Sequence, residues 1–221
     1  SVTDWKEDAV LFDYGYDNGD GFKFYLGESE GGFVIMPGDN ETYIAINGTV
    51  DWGYWHHYCL TYDSDVGIEF YFDGDKAASW DPGTLATGSY YSMHLGVDVY
   101  GSTSSTFQGA LDEVYIYESA LSAQAIAVLY GSVSEAPTAS PAPTSHFFEG
   151  TLVAYYPFDK GNATDVFGGH DGDAYREDQK VGTLPVTPGK DGGDAIELDP
   201  DDGYATYVEL PSEATADITG S

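Results

Sequence analysis

Phe107-Gln108-Gly109-Ala110-Leu111-Asp112-Glu113-Val114-Tyr115-Ile116-Tyr117 runs directly into Glu118-Ser119-Ala120-Leu121-Ser122-Ala123-Gln124-Ala125-Ile126. Val114 and Ile116 alternate with Tyr115 and Tyr117, the period of two that a strand with one buried face requires. The spacing then turns helical at Leu121, Ile126 and Leu129, with Ser122 placed to cap the first turn and Gly131 to stop the last. A strand is followed at once by one short helix.

Upstream, short alternating segments separated by Gly, Asp and Asn fill the chain. Phe22, Phe24 and Leu26 alternate with Lys23 and Tyr25. Ile68, Phe70 and Phe72 alternate with Glu69, Tyr71 and Asp73 before Asp73-Gly74, a hairpin signal leading into Lys76-Ala77-Ala78. Downstream, Glu135-Ala136-Pro137-Thr138-Ala139-Ser140-Pro141-Ala142-Pro143-Thr144 cannot build a core and reads as an extended linker over 132–150. Alternation resumes at Leu152, Ala154, Tyr156 and Phe158, then in Ala195-Ile196-Glu197-Leu198 and Tyr207-Val208-Glu209-Leu210-Pro211. These later strands are too few to close two sheets by themselves.

The 221 residues carry 38 acidic and 7 basic side chains, a formal charge of -31, which opposes nucleic acid and anionic membranes through long-range repulsion and favours cationic partners. No apolar run is long enough to span a bilayer, so no membrane span is expected. The single cysteine, Cys59, lies in an alternating run and reads as a small buried thiol. Sequons at Asn40, Asn47 and Asn162, with Thr138, Ser140 and Thr144 open to O-glycosylation in the linker, point to a secreted, extracellular or cell-surface glycoprotein.

Trp55-His56-His57-Tyr58, Asp73-Gly74 and Leu111-Asp112-Glu113-Val114 resemble the second half of a laminin-G-like, concanavalin-A-type domain, while Leu152-Val153-Ala154-Tyr155-Tyr156-Pro157-Phe158-Asp159 and Tyr207 to Pro211 resemble its first half. The resemblance implies an all-β fold, an antiparallel jelly-roll β-sandwich with one short C-terminal helix per repeat. It covers nearly the whole chain in permuted order: 1–131 as the C-terminal part of one jelly roll, 132–150 as linker, and 151–221 as the N-terminal part of a second. The tryptophan-containing strand that the family places after Tyr207 to Pro211 is missing from the match. The later piece is expected to complete a sandwich, by folding back or by completing the next copy head to tail. An array continuing past both ends favours the intermolecular form.

No compact pair of carboxylates of glycosidase type is present, since Glu197-Leu198-Asp199-Pro200-Asp201 is broken by proline and Asp112 to Glu118 has the wrong spacing. No enzyme is expected. The histidines show no zinc-ligand spacing, and neither EF-hand-like loop keeps its glycine and terminal glutamate. The resemblance implies a calcium site between the opening loop and the closing strand, which maps onto Asp159 and Asp165 together with Asp112 or Glu113. The bland alternative is that Asp165 and its neighbours only form Asx turns. Aromatics near turns, Tyr14, Tyr16, Trp52, Tyr54 and Trp55, could stack on sugars, with Trp52, Tyr54 and Trp55 as the glycan-binding candidates. The expectation is a non-catalytic structural or adhesive repeat glycoprotein, partnered by copies of itself or adjacent repeats and forming filaments. A calcium-dependent lectin-like module that binds extracellular glycans is the alternative.

Overall fold

A computed structural model of the chain describes residues 9–17, 20–26, 32–37, 42–45, 53–80, 92–134, 151–177, 179–190, 192–198 and 205–215. In order the elements are β1 (Val10–Asp17), β2 (Asp20–Leu26), β3 (Gly32–Pro37), β4 (Thr42–Ala45), β5 (Tyr58–Asp63), β6 (Gly67–Phe72), β7 (Asp75–Trp80), β8 (Met93–Leu95), β9 (Gly109–Leu111), β10 (Val114–Tyr117) and the helix α1 (Ala123–Ser134). After the linker come β11 (Leu152–Tyr156), β12 (Asp173–Arg176), β13 (Gln179–Val181), β14 (Val186–Pro188), β15 (Asp194–Leu198), β16 (Thr206–Leu210) and the one-turn helix α2 (Ser212–Thr215).

The strands form an antiparallel jelly-roll sandwich. One layer is an eight-stranded sheet in the order β13-β12-β16-β8-β1-β2-β3-β4; the other consists of β5-β6-β7, β10-β11 and β14-β15-β9. Their buried faces meet in one core. Phe24, Leu26, Leu95, Val208 and Leu210 come from the first layer, and Ile68, Phe70, Ile116, Ala154, Tyr156, Ile196 and Leu198 from the second. The alternation read from the sequence is the alternation of that core face: Leu152, Ala154, Tyr156 and Phe158 are all buried. The β6–β7 hairpin turns on Asp73 and Gly74, with φ of 49° and 82°, between the paired residues Phe72 and Asp75.

The two pieces close on each other within one chain. β16 lies beside β8, pairing Val208 with Leu95 and Leu210 with Met93. β15 lies beside β9, pairing Ile196 with Leu111. β11 lies beside β10, pairing Val114 with Tyr156 and Ile116 with Ala154. Folding back, one of the two expected ways of completing the sandwich, is the one seen in the single chain: the strand that resembles a beginning pairs directly with the one that resembles an end. The reason is effective concentration. A tethered partner outcompetes a free copy carrying the same strands.

α1 packs on the outer face of the second layer, where Leu121, Ala125, Ile126 and Leu129 cover Tyr71 against Cys59 and Tyr117. Ser122 caps it as expected, its hydroxyl accepting the Ala125 N–H at 3.3 Å. The expected stop at Gly131 is corrected: the helix runs on to Ser134, because Gly131 does not take the left-handed conformation by which glycine ends a helix.

Candidate functional site

The residues expected to carry chemistry lie beside β10 and in the loop after β11, and each accepts hydrogen bonds from the protein. Asp165 lies midway along the loop between β11 and β12, and its side chain is fully buried. Its Oδ1 accepts the N–H of Tyr155 and of Phe167, both at 2.9 Å, and its Oδ2 accepts the N–H of Gly168 at 3.0 Å and of His170 at 2.9 Å. The His170 ring nitrogen Nδ1 lies 3.3 Å from Oδ2. Burial pushes this carboxyl's pKa up, but the four backbone donors outweigh it and hold the group below the usual aspartate value. Asp171 accepts the Asp165 N–H at 2.9 Å, closing the loop on itself. Gly168 packs so close to the Val153 carbonyl that a Cβ there would collide with it.

Glu113 stands between β9 and β10 with φ of 54°, a left-handed backbone that ends one ladder before the next begins. Its Oε2 accepts the hydroxyls of Tyr115 and of Tyr155, the latter at 2.8 Å. The two rings stack with centroids 4.5 Å and planes 2° apart. Burial, then the Glu113 carboxylate, raise the Tyr115 pKa well above the usual phenol range, so its phenol stays protonated and donates. Tyr155 therefore hands its N–H to Asp165 and its O–H to Glu113, tying the opening strand to the closing one.

Asp112 and Asp159 serve the β14–β15 turn. Asp112 Oδ2 accepts the Lys190 N–H at 2.9 Å, and Asp159 Oδ1 accepts the Asp194 N–H at 3.2 Å. The turn approaches closely because residue 189 is glycine: a Cβ there would sit 2.5 Å from Asp112 Oδ2.

The four residues expected to bind calcium thus divide into three local tasks. Asp165 holds its own loop, Glu113 holds two phenols, and Asp112 and Asp159 hold a hairpin. Among the described residues no group of three or more His, Cys, Asp or Glu is arranged to hold a metal ion. With the Asp165 oxygens sharing four N–H donors, the set does not fit one calcium ion without losing those bonds.

The glycan-binding candidates fall in different places. Tyr54 is 65% exposed and Trp55 half-buried, while Trp52 lies outside the described residues. Tyr14 is corrected: it is 1% exposed, its ring directed into the core by the alternation of β1. The Tyr16 side chain is outside the described residues. So are Asn40, Asn47, Thr138, Ser140 and Thr144. Asn162 is half-buried beside an exposed Thr164 on the loop after β11. Among the described residues a slot of about 330 Å³ lies between β5 and β10, lined by Trp55, His57, Leu60, Glu113 and Val114, with Leu11 behind.

Sequence reasoning missed two carboxylates and one imidazole. Asp13 is 1% exposed inside β1, where its Oδ2 accepts the Val99 N–H at 3.1 Å and so pins the loop after β8. Asp73, read only as a turn residue, accepts the His57 N–H at 2.8 Å and pairs with His56 Nδ1 at 2.9 Å. His57 itself has its Nδ1 buried without a hydrogen-bond partner. The one available signal was polarity on a strand face that should be apolar, as at Asp13.

No helix among the described residues is long and apolar enough to cross a membrane. No curated protein and no solved structure gives a significant match to the chain. The family model Laminin_G_3, described as the concanavalin A-like lectin/glucanases superfamily, matches residues 1–127, more than half of the 221. With that match and a closed antiparallel jelly roll, the chain belongs to the concanavalin A-like lectin/glucanase superfamily as a laminin-G-type domain.

Proposed function

We propose that the protein is a non-catalytic structural or adhesive domain of a secreted repeat glycoprotein, partnered by adjacent repeats or copies of itself. The observation that supports this reading is how the best-placed carboxylates are used. Asp13, Asp112, Asp159 and Asp165 each accept backbone N–H groups, and Glu113 accepts two tyrosine hydroxyls. Hydrogen bonds of this kind put these carboxylates to architectural use. The remaining negative charge keeps the surface soluble and repels polyanions. The Asn162 sequon supports the secretory route, since its loop carries an exposed Thr164. Exchange of β11 to β16 between copies would use the same three strand pairings and turn the closed monomer into a head-to-tail filament.

Carbohydrate recognition is the second reading, supported by Tyr54 and Trp55 beside the slot between β5 and β10. A glycan array read together with hydrolase assays on the same polysaccharides separates the readings. The structural role expects no selective binding and no turnover, with ordered polymers in the native material. Selective binding that is lost in Trp55→Ala supports the lectin, and hydrolysis by purified protein overturns both.

A further inference from the structure

The face beneath α1 is built from ionisable side chains that are all held uncharged. Burial pushes Cys59 up to about 12 and Tyr117 up to about 12, and it raises Tyr71 further above its usual range. None of these three gains or loses a proton between pH 5 and 8. His57 is different, because an imidazole's ordinary pKa of about 6.5 lies inside that window.

His57 is at the edge of this face, immediately before β5. Its ring lies 6.1 Å from that of Tyr130, on the last turns of α1. Tyr130 also rests on the hairpin turn, where a Cβ on Gly74 would come within 2.9 Å of its ring. The His57 Nδ1 atom is buried and accepts no hydrogen bond, which suits a neutral ring protonated on the other nitrogen. A proton on Nδ1 would be a buried, unpaired N–H bearing charge. Asp73, the nearby carboxylate, is already committed: Oδ1 accepts the His57 N–H and Oδ2 pairs with the His56 ring. Glu69 takes the Tyr71 hydroxyl at 2.7 Å and the Lys76 ammonium, and Glu113, which lines the same slot as His57, holds the Tyr115 and Tyr155 hydroxyls.

We propose that His57 is a pH-sensitive latch for α1. At neutral pH its uncharged ring seats Tyr130 and closes the helix over the outer face of β5, β6 and β10. In mildly acidic medium its protonation releases the helix and bares Tyr71, Leu121, Ala125, Ile126 and Leu129. Desolvation by burial lowers the His57 pKa, with Asp73 opposing, and the sign agrees. The released state binds more protons than the docked one, so docking is strongest above the free imidazole value and weakens as pH falls below it. For a ring that stays neutral while docked, the shift in the opening equilibrium at pH 5 reaches about 30-fold, set by the 1.5 units between 5 and 6.5.

Hydrogen exchange on peptides covering 121–134, corrected for intrinsic rates, reads this directly in the intact protein at pH 5 and pH 7.5. The expected result is a loss of protection of several-fold to about 30-fold in α1 at pH 5, with β1 and β2 unchanged and the pH dependence abolished in His57→Phe. Equal protection at both pH values, or the same loss in the variant, overturns the latch. Should the variant not fold, the NMR titration of His57 in the native protein decides: a midpoint below 6 supports the latch, and one at 6.5 or above overturns it.

Discussion

Replacing Asp165 by alanine removes one carboxylate and leaves four backbone donors to find new partners. The Tyr155 N–H belongs to buried β11, while those of Phe167, Gly168 and His170 lie in a loop that water can reach. A buried donor left unsatisfied costs about 1–3 kcal/mol, and a net hydrogen bond to a charged group contributes about 1.5–3 kcal/mol. Solvation of the three loop donors offsets most of their share, which puts the total at about 3–5 kcal/mol. At about 2–4 °C per kcal/mol for a domain of this size, Tm falls by roughly 10 °C. Asp165→Asn keeps the Oδ1 pair but turns an amide NH₂ toward the Gly168 and His170 donors, so its cost is smaller, about 2–3 kcal/mol. Urea unfolding of the three proteins at pH 7 measures both values. The pH dependence adds a second check. Because the folded pKa is depressed, the contribution is fully present above the unfolded value of about 3.9 and is lost as pH falls through the folded value. The gap between wild type and Asp165→Ala should therefore narrow in strong acid. An alanine variant within 1 kcal/mol of wild type at pH 7 would show that water replaces the carboxylate freely and that the loop is not organised around it.

Gly168→Ala forces a Cβ onto the Val153 carbonyl oxygen, so a loss of more than about 2 kcal/mol in urea unfolding is expected, and a neutral result would mean the loop moves away at no cost. Ser122→Ala removes the α1 cap and should cost about 1 kcal/mol, read by the same unfolding curves. Cleavage at a protease site placed within 135–150 should leave a non-covalent complex at the monomer mass of 23.8 kDa by light scattering; two separated fragments would contradict closure within one chain. Thermal melts with calcium and with a chelator should nearly coincide, because Asp165, Glu113, Asp112 and Asp159 each already accept a protein donor; a shift of several degrees would show that an ion displaces those contacts.

The alternation of strands was legible because a side chain's face in a sheet is decided by position alone. Leu152, Ala154, Tyr156 and Phe158 could be assigned to the core from spacing, as could Val114 and Ile116. Tyr25 and Tyr71 show the limit. Each alternates out of the core, and each is nevertheless buried, Tyr25 against Val10 and Tyr71 under α1, because a jelly roll's outer face is partly covered by its own loops and helix. The neighbours of Asp165 were legible as Asx-turn material, whereas its four donors were not, since they depend on where β11 lies relative to the loop. Closure within one chain was illegible for a thermodynamic reason. The same complementary strands satisfy both arrangements, and only the placement of β8, β9 and β10 beside β16, β15 and β11 selects one.

That placement makes the halves mutually dependent. Without β16, strand β8 loses one of its two neighbours; without β15, β9 loses its ladder; without β11, β10 stands alone. Val208, Leu210, Ile196, Leu198, Ala154 and Tyr156 would leave the core together, uncovering Leu95, Phe70 and Ile116. Three open edges and an apolar face in water are costly enough that neither half is a stable sandwich by itself. Glu113 and Asp112 then acquire a clear role, since each reaches from the first half into the second, Glu113 to the Tyr155 hydroxyl and Asp112 to the Lys190 N–H. A hydrophobic face drives the halves together without fixing their register, because a slide along the strands keeps much of the contact. Glu113, which must meet two stacked phenols, one from each half, and Asp112, which must meet a backbone N–H of the other half, are satisfied in one register only. The acidic residues at the joint therefore specify the closure that the apolar residues drive.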